Sequence, residues 1–283
     1  MIDRITIRDI ADMKLRGEKI PMVTAYDYVT ARLADQVGMP SVLVGDSLGM
    51  VVLGYESTVQ VTLDEMLHHI KAVCRGTRRA LVVGDLPFMT YQIDPSQALR
   101  NATKIVQEGG AQAVKLEGGE TIAETVRYIV ERGIPVMGHI GLTPQSVNML
   151  GGYRVFGKSM KEATQLLRDA KALQEAGAYS VVLELVPSPI AEIITQQLSI
   201  PTIGIGAGRY CDGQIQVLHD MLGLFKDFVP KHTKQFSTLG DATTQAFNDY
   251  MNEVRNDTFP TEKESVTIDQ SVLEQFKAGL SSN

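Results

Sequence analysis

Short β-branched apolar runs recur along this chain, and most stop at glycine or a charged residue before a helix-like stretch begins. Val42-Leu43-Val44-Gly45-Asp46 and Leu81-Val82-Val83-Gly84-Asp85 end alike, on Gly-Asp. Ala113 to Glu117, Ile134 to His139, Tyr179 to Glu184 and Ile200 to Gly206 keep the rhythm. A strand buried on both faces of a parallel sheet reads as such a run. Strand then helix, repeated about eight times, predicts an α/β fold closed into a (β/α)8 TIM barrel; a doubly wound open sheet is the alternative. Barrels of this kind keep their chemistry at the C-terminal ends of the strands.

The chain has 283 residues, a length that one α/β barrel fills. Hydrophobic residues make up 44% and charged residues 21%, the proportions of a globular domain. The net charge of −6 and the lack of a basic stripe argue against nucleic acid as a partner. No apolar run is long enough for a bilayer, and Met1-Ile2-Asp3-Arg4 lacks the layout of a secretion signal. Cys74 and Cys211 stand in no CxxC pattern. These features predict a cytoplasmic protein with no membrane contact.

Thr6 to Arg16 has helical spacing, with Ile7, Ile10, Ala11 and Leu15 on one face, and reads as a helix capping the N-terminal end of the barrel. Thr62 and Glu65 form a capping-box pair ahead of a helix from Leu63 to Arg75. Asp94-Pro95 begins another. Gly141 to Gly157 is a loop long enough to suggest function. The eighth strand is expected at Leu222 to Phe225, and Asp241 to Val254 as the last barrel helix. Residues 1–258 then form a single barrel domain, and 259–283 a C-terminal extension, a surface arm or partly disordered, with a short helix capped by Asp269 and ended by Gly279.

The strand ends collect Asp46, Asp85, Lys115, Glu117, His139 and Glu184. Two carboxylates at one mouth suit Mg²⁺, which needs few protein oxygens; their other reading is turn capping. Glu117 is a third metal group or a partner for Lys115, since the two share a strand face. Lys115 is a structural lysine, a point charge for a carboxylate or enolate oxygen, or a Schiff-base former. His139 is an orienting or acid group, or a hydrogen-bonded structural residue. Glu184, at the end of an apolar run, suits a general base or a structural ion pair. Gly204 to Gly208 is similar to a phosphate-binding barrel loop.

Taken in order, Val23 to Asp27, Val44 to Met50, Gly84 to Phe88, Val114 to Gly119, Gly138 to Gln145 and Gly204 to Gly208 resemble the ketopantoate hydroxymethyltransferase family over roughly Ile5 to Phe236. The resemblance implies a barrel of the phosphoenolpyruvate/pyruvate type. It implies Mg²⁺ on Asp46 and Asp85 with Glu117 metal-associated, and 5,10-methylenetetrahydrofolate as co-substrate. Ser47 and Lys115 would bind the 2-oxo acid, so that the expected substrate set is Asp46, Ser47, Asp85, Lys115 and His139. Glu184 would be the proton acceptor. The family is typically a homo-oligomer, often a decamer. Rival readings are a Mg²⁺-dependent C–C lyase, a Schiff-base aldolase on Lys115, and a non-catalytic binding barrel.

Overall fold

In a computed structural model of the chain, which describes residues 4–225 and 229–281, eight parallel strands pair in sequence order. They are β1 (Ile20–Thr24), β2 (Ser41–Val44), β3 (Leu81–Asp85), β4 (Ala113–Glu117), β5 (Val136–Gly141), β6 (Ser180–Glu184), β7 (Thr202–Ile205) and β8 (Gly213–Gln216). Strand β8 pairs with β1, so the sheet closes into the expected barrel.

Helix α1 (Ile7–Leu15) precedes the barrel. Between strands run α2 (Tyr28–Gln36), the short α3 (Leu48–Val51), α4 (Leu63–Gly76), α5 (Pro95–Gln107), α6 (Ala123–Val130), the short α7 (Val147–Leu150), α8 (Met160–Glu175) and α9 (Ser188–Gln197). Short α10 (Leu218–Met221) follows β8, and α11 (Leu239–Arg255) and α12 (Gln270–Leu280) end the chain. The starts obey local chemistry. Thr62 and Glu65 cap α4 reciprocally, and Asp94 accepts from Gln97 N–H with Pro95 behind it.

Period-2 alternation divides each strand between two cores. Val42, Val44, Val82, Val114, Leu116 and Val181 face the helices. Leu43, Leu81, Val83, Met137, Val182 and Ile203 fill the barrel, where Ile10 and Met13 of α1 plug the N-terminal end. The plug therefore uses Met13 rather than Leu15, which is 81% exposed. No helix among the described residues is long and apolar enough to cross a membrane.

The last third departs from the sequence expectation. The eighth strand is Gly213–Gln216, and Leu222 to Phe225 lies beyond it. Residues 206–212 carry the chain back along the barrel wall without a helix, so the strand arrives where no helical pattern announces it. Gly213 is required there, because a Cβ would stand 2.4 Å from the Ile20 carbonyl oxygen. The outer wall beside β7 and β8 consequently opens onto a groove of about 580 Å³ lined by Lys19, Gly206, Gly208, Arg209, Gln214 and His232. Helix α11 does not serve as the last barrel helix, since none of its residues is buried. Helix α12 runs through Gly279 instead of stopping at it, with Asp269 as its cap.

At the N-terminal end, one side chain ties this helix-less crossing down. The Lys14 ammonium donates to Thr195 O (3.1 Å), Ile200 O (3.0 Å) and Asp212 Oδ2 (2.8 Å). Asp212 in turn accepts from the Thr202 N–H (2.9 Å). Lys14→Met removes these three hydrogen bonds and should cost about 1–3 kcal/mol. Thermal melting reads this as a lower midpoint; an unchanged midpoint would show that the tie contributes nothing.

Candidate active site

The alternation that packs the barrel also delivers the polar cluster. Beyond Leu81 and Val83, the next inward position on β3 is Asp85. Beyond Ala113 on β4 come Lys115 and Glu117, beyond Met137 on β5 comes His139, and beyond Val182 on β6 comes Glu184. Register then sets Asp85 beside Lys115 and Glu117 beside His139. Asp46 lies just past the end of β2, where its N–H donates to Asp85 Oδ2 (3.3 Å).

The contacts form one continuous chain. Lys115 Nζ donates to both oxygens of Asp85 (2.9 and 2.7 Å) and lies 3.5 Å from Glu117 Oε1. His139 Nδ1 is 3.4 Å from Glu117 Oε1, and Nε2 is 3.1 Å from Glu184 Oε2. Both are ion-pair contacts off the line of a hydrogen bond, and neither ring nitrogen has an aligned partner. Ser47 meets Tyr26 through its hydroxyl (2.8 Å). The side chains of Asp85, Lys115, Glu117 and His139 are at most 5% exposed, whereas Glu184 is 15% exposed and forms the rim.

Two residues that the sequence reading passed over hold this chain in place. Gln145 N–H donates to Glu117 Oε2 (3.0 Å), and its amide Nε2 donates to Asp46 Oδ2 (2.9 Å) and Leu86 O (3.0 Å). The Tyr91 hydroxyl, 2.8 Å from Gln145 Oε1, accepts the Glu117 N–H (3.1 Å). Gln145 follows Thr143-Pro144, a turn signal that marks a loop but not a buried amide. Tyr91 sits in a proline-broken loop that carries no such signal.

The backbone around Glu184 is equally constrained. Leu185 turns the chain in the left-handed region (φ 48°), which is costly for a branched residue. Its N–H is held by Ile205 O (2.9 Å). On the other side Gly141, at φ 96°, passes so close that a Cβ would stand 2.2 Å from Glu184 O.

Burial, with the Asp85 and Glu117 charges added, pushes Asp46 well above the usual carboxylate range. Burial raises Asp85 too, against the pull of Lys115. Glu117 shifts the other way: burial is outweighed by Lys115 and His139, and the acid stays ionised. Burial also opposes charge on Lys115 and His139. The carboxylates around them win, raising the ammonium and pushing the imidazole up to about 9. Among the described residues, no three His, Cys, Asp or Glu side chains converge as a ready-made metal cage. Asp46 and Asp85 instead offer a pair of hard oxygen donors, with Glu117 across Lys115.

A model of the ketopantoate hydroxymethyltransferase family matches residues 4–262. A 3-methyl-2-oxobutanoate hydroxymethyltransferase of Dehalococcoides mccartyi is 59% identical over 97% of this chain and 98% of its own length. The protein of the same name from Chloroflexus aurantiacus is 59% identical over 95% of both chains. Among solved structures, phosphonopyruvate hydrolase in complex with oxalate and Mg²⁺ superposes with a TM-score of 0.59 at 11% identity, over 98% of this chain and 96% of that one. A 2,3-dimethylmalate lyase of the PEP mutase/isocitrate lyase superfamily gives 0.58 at 17%, over 98% of each chain. These two share the fold.

One further acid at the mouth has a measurable signature. Asp220, in α10, is buried, and burial pushes it up to about 6. A carboxyl raised on folding binds its proton more tightly in the native state. It supports the fold below about pH 4, loses that support as pH rises through 6, and at pH 8 is a net cost. Asp220→Asn should therefore raise the melting temperature at pH 8 and leave it nearly unchanged at pH 4. A lower melting temperature at pH 8 would contradict this.

Proposed function

This chain belongs to the ketopantoate hydroxymethyltransferase family and is an enzyme of it, and from that premise we propose the following chemistry for its mouth. The one-carbon unit of 5,10-methylenetetrahydrofolate passes to C3 of 3-methyl-2-oxobutanoate, giving 2-dehydropantoate for pantothenate and coenzyme A synthesis. The observation that carries the assignment of roles is the unbroken chain from the rim carboxylate, Glu184, through His139, Glu117 and Lys115 to Asp85.

The donor set fits Mg²⁺. Asp46, Asp85, Glu117 and Glu184 stand against two cations, Lys115 and His139, so full ionisation leaves two excess negative charges. Burial first, and the neighbouring carboxylate charge second, raise Asp46 and Asp85. A divalent cation on these two carboxylates, with Glu117 bound directly or through water, balances it with the oxygen donors that Mg²⁺ prefers. When bound, Mg²⁺ polarises the ketone of the 2-oxo acid as a Lewis acid.

The protein's own groups do the rest. Ser47 and Lys115 bind the 2-oxo acid, with Asp46, Asp85 and His139 around it. Glu184 removes the C3 proton, and the Lys115 ammonium stabilises the enolate oxygen. His139 orients Glu184 and takes no direct part in bond making. The electron pair of the C3–H bond becomes the new C–C bond to the carrier's one-carbon unit. The two C–N bonds that hold the one-carbon unit to the carrier break, and water supplies the hydroxyl. The remaining hydrogen of water and the proton taken by Glu184 end on the two freed nitrogens, so that the carrier leaves as tetrahydrofolate.

A Schiff-base aldolase fits the site less well. That chemistry needs a neutral lysine, and the surrounding carboxylates hold Lys115 as an ammonium. A Mg²⁺-dependent lyase shares the fold and by analogy often carries a reactive cysteine on a loop at the mouth, whereas the cysteines here lie on α4 and just before β8.

The assembly we propose is a homo-oligomer, a decamer by family resemblance. The helix-less wall at β7 and β8 supports it, as do the exposed Val29 and Leu33 on α2, Val37 just after it, and Phe247 and Tyr250 on α11. Two free cysteines accord with a reducing cytoplasm.

Glu184→Gln should lower both turnover and folate-independent C3 proton exchange by about 10²–10⁴-fold. Exchange that persists while turnover collapses would move Glu184 to a later step. Asp85→Asn should weaken Mg²⁺ binding in calorimetry with the fold retained, and unchanged affinity would remove Asp85 from the metal.

A further inference from the structure

Below the polar cluster there is no way in. Leu43, Val83, Met137 and Val182 fill the barrel, and α1 closes its far end. A second reactant meets the site from the mouth, the side on which Glu184 is exposed. One side chain from a distant loop meets the short helix that follows Asp46 and Ser47. Tyr153, on the connection between α7 and α8, sets its hydroxyl 3.9 Å from the sulfur of Met50. Met50 lies in α3, the short helix that follows Asp46 and Ser47. Tyr153 is 48% exposed, so the ring rests partly on the protein and turns the remainder to solvent. Partial burial and the charges of Glu184, Asp46 and Glu117 raise its phenol. Met149, on α7, is exposed on the same loop.

We propose that Tyr153, braced on Met50, is the seat for the planar heterocycle of the one-carbon carrier, holding the transferable carbon over the bound 2-oxo acid. The inference rests on the function proposed above and names where its second substrate lies. The 2-oxo acid is small and its partners are the buried groups. The carrier is larger, and its conjugated bicyclic ring needs a flat apolar support with a polar edge. A phenol ring beside a polarisable thioether supplies that support. An aromatic ring with few rotatable bonds also does so at little cost in entropy. The seat lies across the mouth from the barrel floor, so the two substrates stack with the reacting carbons between them.

The test uses Tyr153→Leu and Tyr153→Phe in the full-length protein with two readouts: equilibrium dialysis of tetrahydrofolate, and C3 proton exchange of 3-methyl-2-oxobutanoate without folate. Tyr153→Leu should weaken tetrahydrofolate binding about three- to ten-fold, the worth of one aromatic stack. Tyr153→Phe keeps the ring and should stay within about twofold of wild type, as should exchange in both variants. Unchanged tetrahydrofolate binding in Tyr153→Leu overturns the seat. So does exchange that falls in step with binding, which would assign Tyr153 to the 2-oxo acid. A wild-type protein that binds tetrahydrofolate but does not exchange defeats the proposed reaction and leaves the seat standing, provided Tyr153→Leu loses that binding. One that exchanges but does not bind tetrahydrofolate defeats the seat alone.

Discussion

Lys115 keeps a positive charge against Asp85 and Glu117 while almost wholly out of water. Burying ions costs several kcal/mol each, and only close, well-oriented partners return that cost. Asp85 comes from the neighbouring strand β3 and Glu117 from Lys115's own strand β4, so the Asp85 pairing exists only while the β3–β4 register holds. Removing the ammonium would leave two acids on adjacent strands with burial pushing both toward protonation. His139 plays the corresponding part between Glu117 and Glu184, one strand further round. Barrel closure and site electrostatics are thus one problem with one solution: the strands stay in register, and the charges stay paired.

Much of this was legible in the sequence where local chemistry decides. The Gly-Asp endings, the apolar runs and the Thr62–Glu65 and Asp94–Pro95 caps each reflect residues close together in the chain. Six of the polar groups could be placed at one mouth, because parity along a strand and barrel geometry are both regular. Gln145 and Tyr91 escaped notice because their roles arise from contacts between separate loops, where a buried amide and phenol carry no periodic signal. Strand β8 escaped because its Gly213-Gln214-Ile215-Gln216 is polar, short and preceded by no helix. Helix α11 was read correctly as a helix and wrongly as a barrel helix: its apolar spacing is real, but none of its residues is buried.

Gln145 also shows how a loop can be as determinate as a strand. Its amide and N–H reach two of the site's acids and a carbonyl, and Tyr91 fixes its oxygen. A buried network in which each member is satisfied tends to specify one arrangement. The rim differs. Glu184 meets water, sits before a left-handed Leu185 and lacks an aligned partner on His139. The floor is closely tied and the rim is open to water.

The pairing of β1 with β8 has a consequence for the birth of the protein. The hydrogen-bonding edge of β1 has no partner on that side until Gly213 to Gln216 has been made. At usual rates of synthesis that interval is on the order of ten to forty seconds. Throughout it the nascent chain carries an open apolar strand edge, the kind of template on which other chains can add. The barrel has no edges once finished, yet that closure waits on the last strand to be made.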